Sequence, residues 1–239
     1  MRMTVRRYRR RRQGSDSLGF SQSHSSAPFF DRLVYLSQSI NQTRRPDTPF
    51  IVLVTHDHFL YAGIQRGPAP LRHCCGYDTL ESAFSALETW PSARLVVDIE
   101  SRTMPLIQML DMLRRIILYP PFTAVSLLVR ADDYDTRLLC KTSGPFDVLE
   151  RQLPALALQQ ALTATSAPVN NRSIYFSREE WTILQYLSQG ESLRNIALFR
   201  QRPYSRIVYR LGRILSKLGL HHRQELLHLL HRISLSPTR

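Results

Sequence analysis

The stretch PYSRIVYRLGRILSKLGL, residues 203–220, concentrates chemistry of one kind. Arg206, Arg210, Arg213 and Lys217 recur at three- and four-residue spacing, and no acid lies among them. At 100° per residue they share one flank of a helix, beside an apolar stripe of Ile207, Leu211, Ile214, Leu215 and Leu218. A third side carries Ser205, Tyr209, Gly212 and Ser216. A solvated helix face normally holds Glu–Lys pairs, whereas this one is small, hydrogen-bonding and acid-free. Gly212 costs about 1 kcal/mol inside a helix, and close approach to another surface is a reason to tolerate it. A smooth outer face with a guanidinium flank suits a DNA major groove, with Arg on phosphates and short side chains toward base edges. On these grounds the expected contact set includes Ser205, Arg206, Tyr209, Arg210, Arg213 and Lys217.

The rest of the chain agrees in charge. Its formal net charge is +13, unevenly spread: residues 1–12 carry +7, residues 172–239 carry +8, and everything between carries −2. Positive charge on a folded segment is the footprint of a polyanion binder. Three cysteines, two of them adjacent, make no disulfide framework. No apolar run approaches the ~20 residues of a membrane span, and the Arg-rich start lacks the apolar stretch of a secretory signal. These features point to a reducing cytoplasm. His56-Asp57-His58 and His73-Cys74-Cys75 have no companions at metal-binding spacing. No nucleophile–base pattern or glycine phosphate loop is present, so no enzyme, cofactor or metal is expected.

The elements that position the basic helix read as follows. Residues 1–27 form a basic tail without periodicity, and 28–49 a helix followed by a linker. Over 50–163 short apolar runs (50–54, 71–75, 93–99, 122–129, 146–150) alternate with helical patterns. That order predicts an α/β domain with a parallel five-stranded sheet of flavodoxin-like type. A polar linker covers 164–173. Residues 174–239 are then helical throughout: Ser177 and Glu180 make a capping box, Ile183, Leu184 and Leu187 an apolar stripe, and Gly190 a terminator. A short second helix, a tight QRP connection, the basic helix and a fourth helix follow.

Helix, short helix, tight turn and basic helix is the order of a helix-turn-helix. Over 176–227 the chain resembles, without a gap, the C-terminal DNA-binding domain of LuxR/NarL-type bacterial transcription regulators. The likeness rests on the Ser-Arg-Glu-Glu opening, Leu184, Leu187, Gln189-Gly190, Ser192, Ile196-Ala197, Arg213-Ile214-Leu215, Lys217-Leu218-Gly219, Arg223 and Glu225-Leu226. It implies that the helix from Tyr204 enters the major groove and that the last helix supports dimerisation. Pro203 stands where the family has a Ser or Thr cap, and Val208 and Tyr209 replace polar base-contacting residues, so operator specificity does not carry over.

Residues 50–163 are similar, more distantly, to a response-regulator receiver, with Asp57 in the acidic loop and Asp98 as the phospho-accepting residue. His56 stands where a second acid is usual, Arg130 where a Ser or Thr is, and Arg151 near the usual Lys. The segment after the first strand is short and contains Pro68 and Pro70. The resemblance therefore implies a degenerate receiver, as in RcsA-type regulators that act with a partner. The expected function is a phosphorylation-independent DNA-binding regulator. It would bind double-stranded DNA as a homodimer or with another regulator, with RNA polymerase as a further partner. The competing readings are an anti-regulator that sequesters its partner and a response regulator phosphorylated on Asp98.

Overall fold

The computed structural model describes residues 50–67, 71–118, 124–163 and 174–234. The expected basic tail, the 28–49 helix and the 164–173 linker lie outside them. The first part alternates strands and helices: β1 (Ile51–Val54), α1 (His58–Gln65), β2 (Cys74–Tyr77), α2 (Leu80–Thr89), β3 (Arg94–Asp98), α3 (Leu106–Leu118), β4 (Val125–Val129), α4 (Tyr134–Ser143), β5 (Asp147–Glu150) and α5 (Ala155–Thr163). All strand pairs are parallel, in the order β2-β1-β3-β4-β5. The sheet is buried on both faces, which is why β1, β3 and β4 read as continuous apolar runs. Ile51, Leu53, Val96 and Leu128 meet Ile64 of α1 and Leu158 and Leu162 of α5. Val52, Val54, Leu95, Val97 and Leu127 face α2, α3 and α4 on the other side.

One strand sits later than its sequence suggests. The apolar run at 71–75 predicts a strand there, but β2 is Cys74–Tyr77. Leu71 is buried in the preceding turn, and the strand itself buries only Cys74. An edge strand with one buried side chain has little apolar signal to mark it.

The second part is a four-helix cluster: α6 (Arg178–Ser188), α7 (Leu193–Phe199), α8 (Tyr204–Lys217) and α9 (Arg223–Ser234). The capping box that opens α6 is formed in full: Ser177 N donates to Glu180 Oε2 at 2.8 Å and Glu180 N to Ser177 Oγ at 3.3 Å. Helices α6, α7 and α8 all close the same way. The amide two residues past each cap bonds back five residues (Glu191 to Tyr186 O, Arg202 to Ala197 O, Leu220 to Leu215 O). This Schellman closure needs a left-handed residue. Gly190 (φ 86°) and Gly219 (φ 63°) supply it twice, and Gln201 (φ 49°) the third time.

The cluster packs on the α3 and α4 side of the sheet through specific polar contacts. Trp181 Nε1 donates to Asp111 Oδ1 at 2.8 Å, and Phe176 N to Thr142 O at 2.8 Å. The Arg114 guanidinium lies 4.6 Å from the centre of the Trp181 ring and donates to the carbonyls of Phe176 (3.2 Å) and Ser143. Arg232 of α9 reaches Asp133 and Asp135 beside α4. This joint uses α6 and α9 and leaves the outer side of α8 uncovered.

Candidate nucleic-acid interface

The wheel drawn for α8 separates in space as its periodicity requires. Ile207, Leu211, Ile214 and Leu218 are buried against α6, α7 and α9, with Leu215 half-buried. Tyr204, Ser205, Arg206, Val208, Tyr209, Gly212, Arg213 and Ser216 are exposed. Tyr209 is 65 % exposed and Val208 42 %, high values for a large aromatic and a β-branched apolar side chain. Pro203 caps the helix without a side-chain hydrogen bond. A Cβ built on Gly212 would meet nothing within 4 Å, so that part of the face is open to an incoming surface.

The cationic flank divides into two kinds of side chain. Lys217 points inward, its Nζ 2.8 Å from Glu180 Oε2 and 2.6 Å from the Tyr175 carbonyl. Arg213 Nε lies 3.3 Å from Glu180 Oε1, and Arg210 Nη2 lies 2.9 Å from Glu179 Oε2. Glu180 is fully buried. Burial by itself would raise its pKa, but donation from Lys217 and the Ser177 amide outweighs this and holds it below the usual carboxylate range. The pair Glu179-Glu180 at the start of α6 therefore fastens the flank of α8. Of the expected contact set, Arg206 has no partner for its guanidinium among the described residues, Arg210 and Arg213 are shared with acids, and Lys217 is held in a structural ion pair.

Two arginines absent from the sequence-based set join Arg206. Arg200 and Arg202 flank Gln201 in the connection between α7 and α8, and both are exposed. They line one shallow cleft with Arg206 and Arg210. Periodicity could not find them, because a tight connection has none. The signal was the Arg-Gln-Arg-Pro run itself, two cations set around the residue that must turn left-handed.

At the carboxyl end of the sheet the expected acidic residues do converge, but around a cation of the chain itself. Arg151 Nη2 is 2.5 Å from Asp57 Oδ2, and Arg151 Nε is 3.0 Å from Asp98 Oδ1. Asp98 is buried and also accepts from Thr55 Oγ1 (2.9 Å), Ser101 Oγ (2.6 Å) and Glu100 N (3.3 Å). The second oxygen of Asp57 caps α1, accepting from Phe59 N and Leu60 N. The Leu60 amide chiefly, together with Arg151, holds the Asp57 carboxyl below its ordinary range against a smaller upward push from burial. His56 Nδ1 lies 2.8 Å from the Ser101 carbonyl. Arg130, the other arginine expected beside Asp98, turns instead to Asp132.

The divalent ion that a receiver domain implies needs several open oxygen ligands. Each carboxylate oxygen here already faces a donor of the protein, so these residues do not fit the ion. The three cysteines are free thiols. Cys140 is fully buried, and burial pushes its pKa up to about 12, the state of an inert core thiol. Among the described residues no group of His, Cys, Asp or Glu is placed to hold a metal ion, and no helix is long and apolar enough to cross a membrane.

Fold and site together define a chain of two parts, a receiver-like parallel sheet joined to a helical cluster that holds out a basic, acid-free helix. Comparison with known proteins gives relatives at low identity. The Fimbriae Y protein of Salmonella typhimurium is 29 % identical over 237 residues, spanning 99 % of this chain and 98 % of its own. Among solved structures, the RcsB response regulator of Salmonella typhimurium is 18 % identical with a TM-score of 0.40, covering 79 % of this chain and all of that one. RcsB in complex with DNA is 16 % identical with a TM-score of 0.43, covering 77 % and 98 %. FixJ from B. japonicum is 18 % identical with a TM-score of 0.36, covering 77 % and 96 %. No protein-family profile matches the chain.

Proposed function

We infer that the chain is a sequence-specific DNA-binding transcription regulator, in which α7 and α8 act as a helix-turn-helix and the outer face of α8 reads duplex DNA. The observation that carries this is the exposed, acid-free face of Tyr204, Ser205, Val208, Tyr209 and Gly212 beside uncommitted guanidinium groups. Large side chains held out on a rigid helix, with cations at the edge, match a groove lined by phosphates. The continuous resemblance over 176–227 supports the same assignment. In this reading Tyr204, Ser205, Val208 and Tyr209 meet bases or sugar, and Arg206, with Arg210 and Arg213 at its side, meets phosphates. Lys217 holds α8 to α6. The protein acts as a homodimer or with a partner regulator.

Its receiver-like part works without phosphorylation. Asp98 is buried under four protein donors, with Arg151 occupying the space a metal and a phosphoryl group would need.

Selection of bound sequences from a random duplex pool by the full chain tests the assignment. An enriched motif is expected, and the Arg206→Ala/Tyr209→Ala variant should bind it at least about tenfold more weakly, since the lost Tyr209 base contact costs about 1–3 kcal/mol and the lost Arg206 phosphate contact adds to it. Arg206 and Tyr209 are preferred to Arg210 and Arg213 because replacing the latter also leaves Glu179 and Glu180 short of partners. A pool with no enriched motif, or a variant that binds like the parent, defeats the assignment.

A further inference from the structure

We propose that the connection between α7 and α8 is a phosphate clamp, in which Arg200, Arg202 and Arg206 together grip one backbone phosphate of bound DNA. The inference rests on the DNA-binding reading above and extends the contact surface from the recognition helix to the turn before it.

The clamp is built on rigid backbone. Arg200 N bonds to Ile196 O, Gln201 N to Leu198 O and Arg202 N to Ala197 O, each at 3.0 Å, so the two arginines sit on either side of a closed Schellman turn. Pro203 follows at once and fixes the entry into α8, where Arg206 lies one turn on. Side chains held on such a frame lose little further backbone freedom when a ligand arrives.

The charges are uncommitted. Arg200, Arg202 and Arg206 have no acidic or hydrogen-bonding partner for their guanidinium groups among the described residues, whereas neighbouring Arg210 is held by Glu179 at 2.9 Å. The Nε of Arg210, at the cleft wall, is buried and has no hydrogen-bond partner among the described residues. Ile183 and Ile207 give the cleft an apolar floor. Glu179 also lines the cleft but is engaged by Arg210, so four guanidinium groups meet one carboxylate there. Exposed like charges repel when brought together, and such an excess of cations is suited to an anion. Guanidinium forks match phosphate oxygens in geometry as well as charge.

The size of the cleft indicates how the anion is held. Its interior is about 20 Å³, room for one water-sized group. One phosphate oxygen fits there while the rest of the group stays outside, as it must when the phosphate belongs to a polymer. Tyr204 and Ser205, which begin the exposed face of α8, lie between Arg202 and Arg206 in the chain, so a strand whose bases meet that face passes close to the arginines.

The test measures duplex affinity of the full chain against salt concentration. Each phosphate contact contributes about 0.9 to the slope of log K against log salt. Arg200→Ala/Arg202→Ala opens the clamp on that one phosphate and should lower the slope by about 0.9, and weaken binding alike on specific and random duplexes. Arg66→Ala/Lys141→Ala removes two exposed cations remote from the cleft and should change the slope by less than 0.5. Arg200→Lys/Arg202→Lys keeps the charges and should retain the parent slope, an outcome a folding defect would not produce. If the double alanine variant keeps the parent slope while the chain binds DNA, the clamp is wrong and the DNA reading stands. If the parent binds no duplex at all, the DNA reading fails first. Titration with inorganic pyrophosphate in the absence of DNA covers a free oxyanion: saturable binding that the alanine variant loses, with an unchanged DNA slope, also overturns the clamp.

Discussion

The two ends of this molecule treat arginine in opposite ways. At the carboxyl edge of the sheet, Arg151 is enclosed by Asp57 and Asp98, and Thr55, Ser101 and backbone amides satisfy what remains. At the turn before α8, Arg200, Arg202 and Arg206 line one cleft, and among the described residues none of the three is paired with an acid, while Glu179 beside them is engaged by Arg210. A buried charge without a partner costs several kcal/mol, so enclosed groups must be paired within the chain. An exposed charge carries no such penalty and stays available to something outside. The difference separates residues that hold the fold from residues left free to meet a ligand, even where residue type and local charge look alike. The comparison breaks first at the sheet edge, where the penalty is largest.

Arg151→Ala leaves buried Asp98 with three neutral donors and no cation. Removing one partner of a buried pair typically costs 3–5 kcal/mol. Arg151 is itself about a quarter exposed, so a loss of roughly 2–4 kcal/mol in urea denaturation is expected. The parent should also stay unlabelled by a small phosphodonor with Mg²⁺. A stability loss below about 0.5 kcal/mol would show that the guanidinium is not holding the two carboxylates. Label on the parent that Asp98→Asn abolishes would show that Asp98 still accepts phosphate.

The helical cluster has its own enclosed charge, and it supplies the next largest effect. Glu180→Gln keeps an acceptor for the Ser177 amide but loses the charge facing Lys217 and Arg213, at a cost of about 2 kcal/mol. The pH dependence has a definite sign. Because the folded protein holds the Glu180 carboxyl below its ordinary value of about 4.3, its contribution is complete above that value and disappears as acid protonates it in the folded state. Asp57 adds in the same direction. Thermal melts of the parent should therefore fall off below about pH 4.5, and more shallowly in Glu180→Gln. Parallel acid limbs would remove Glu180 from the account.

Much of the fold was legible because burial leaves a period in the sequence. Strands β1, β3 and β4 are apolar on both faces and read as unbroken runs, and the Ser177–Glu180 box announced the start of α6. The edge strand β2 was displaced because only Cys74 is buried in it. The site was legible in outline, since a helical wheel sorts the faces of α8 correctly. The wheel sees one helix only. It could not tell that Arg210, Arg213 and Lys217 face Glu179 and Glu180, some thirty residues earlier and adjacent only after folding. Nor could it find Arg200 and Arg202, whose convergence with Arg206 follows from a left-handed residue at 201.

That residue provides the smallest and most discriminating effect. In the left-handed region a side chain with a Cβ costs about 1 kcal/mol, while glycine adopts it freely. The other two turns of the same form in this cluster use Gly190 and Gly219. Gln201→Gly should relieve that strain, offset in part by the greater freedom of glycine in the unfolded chain. The expected net gain is about 0.5 kcal/mol, read as a rise of one or two degrees in the melting temperature. The substitution touches no guanidinium and leaves the turn closed by the same amide bonds, so the salt slope of DNA binding should not move. A stabilised variant with a reduced slope would mean that Gln201, rather than the arginines on either side, meets the phosphate. An unchanged slope with higher stability would separate the frame from the charges it carries, the same division that distinguishes Arg151 from Arg206.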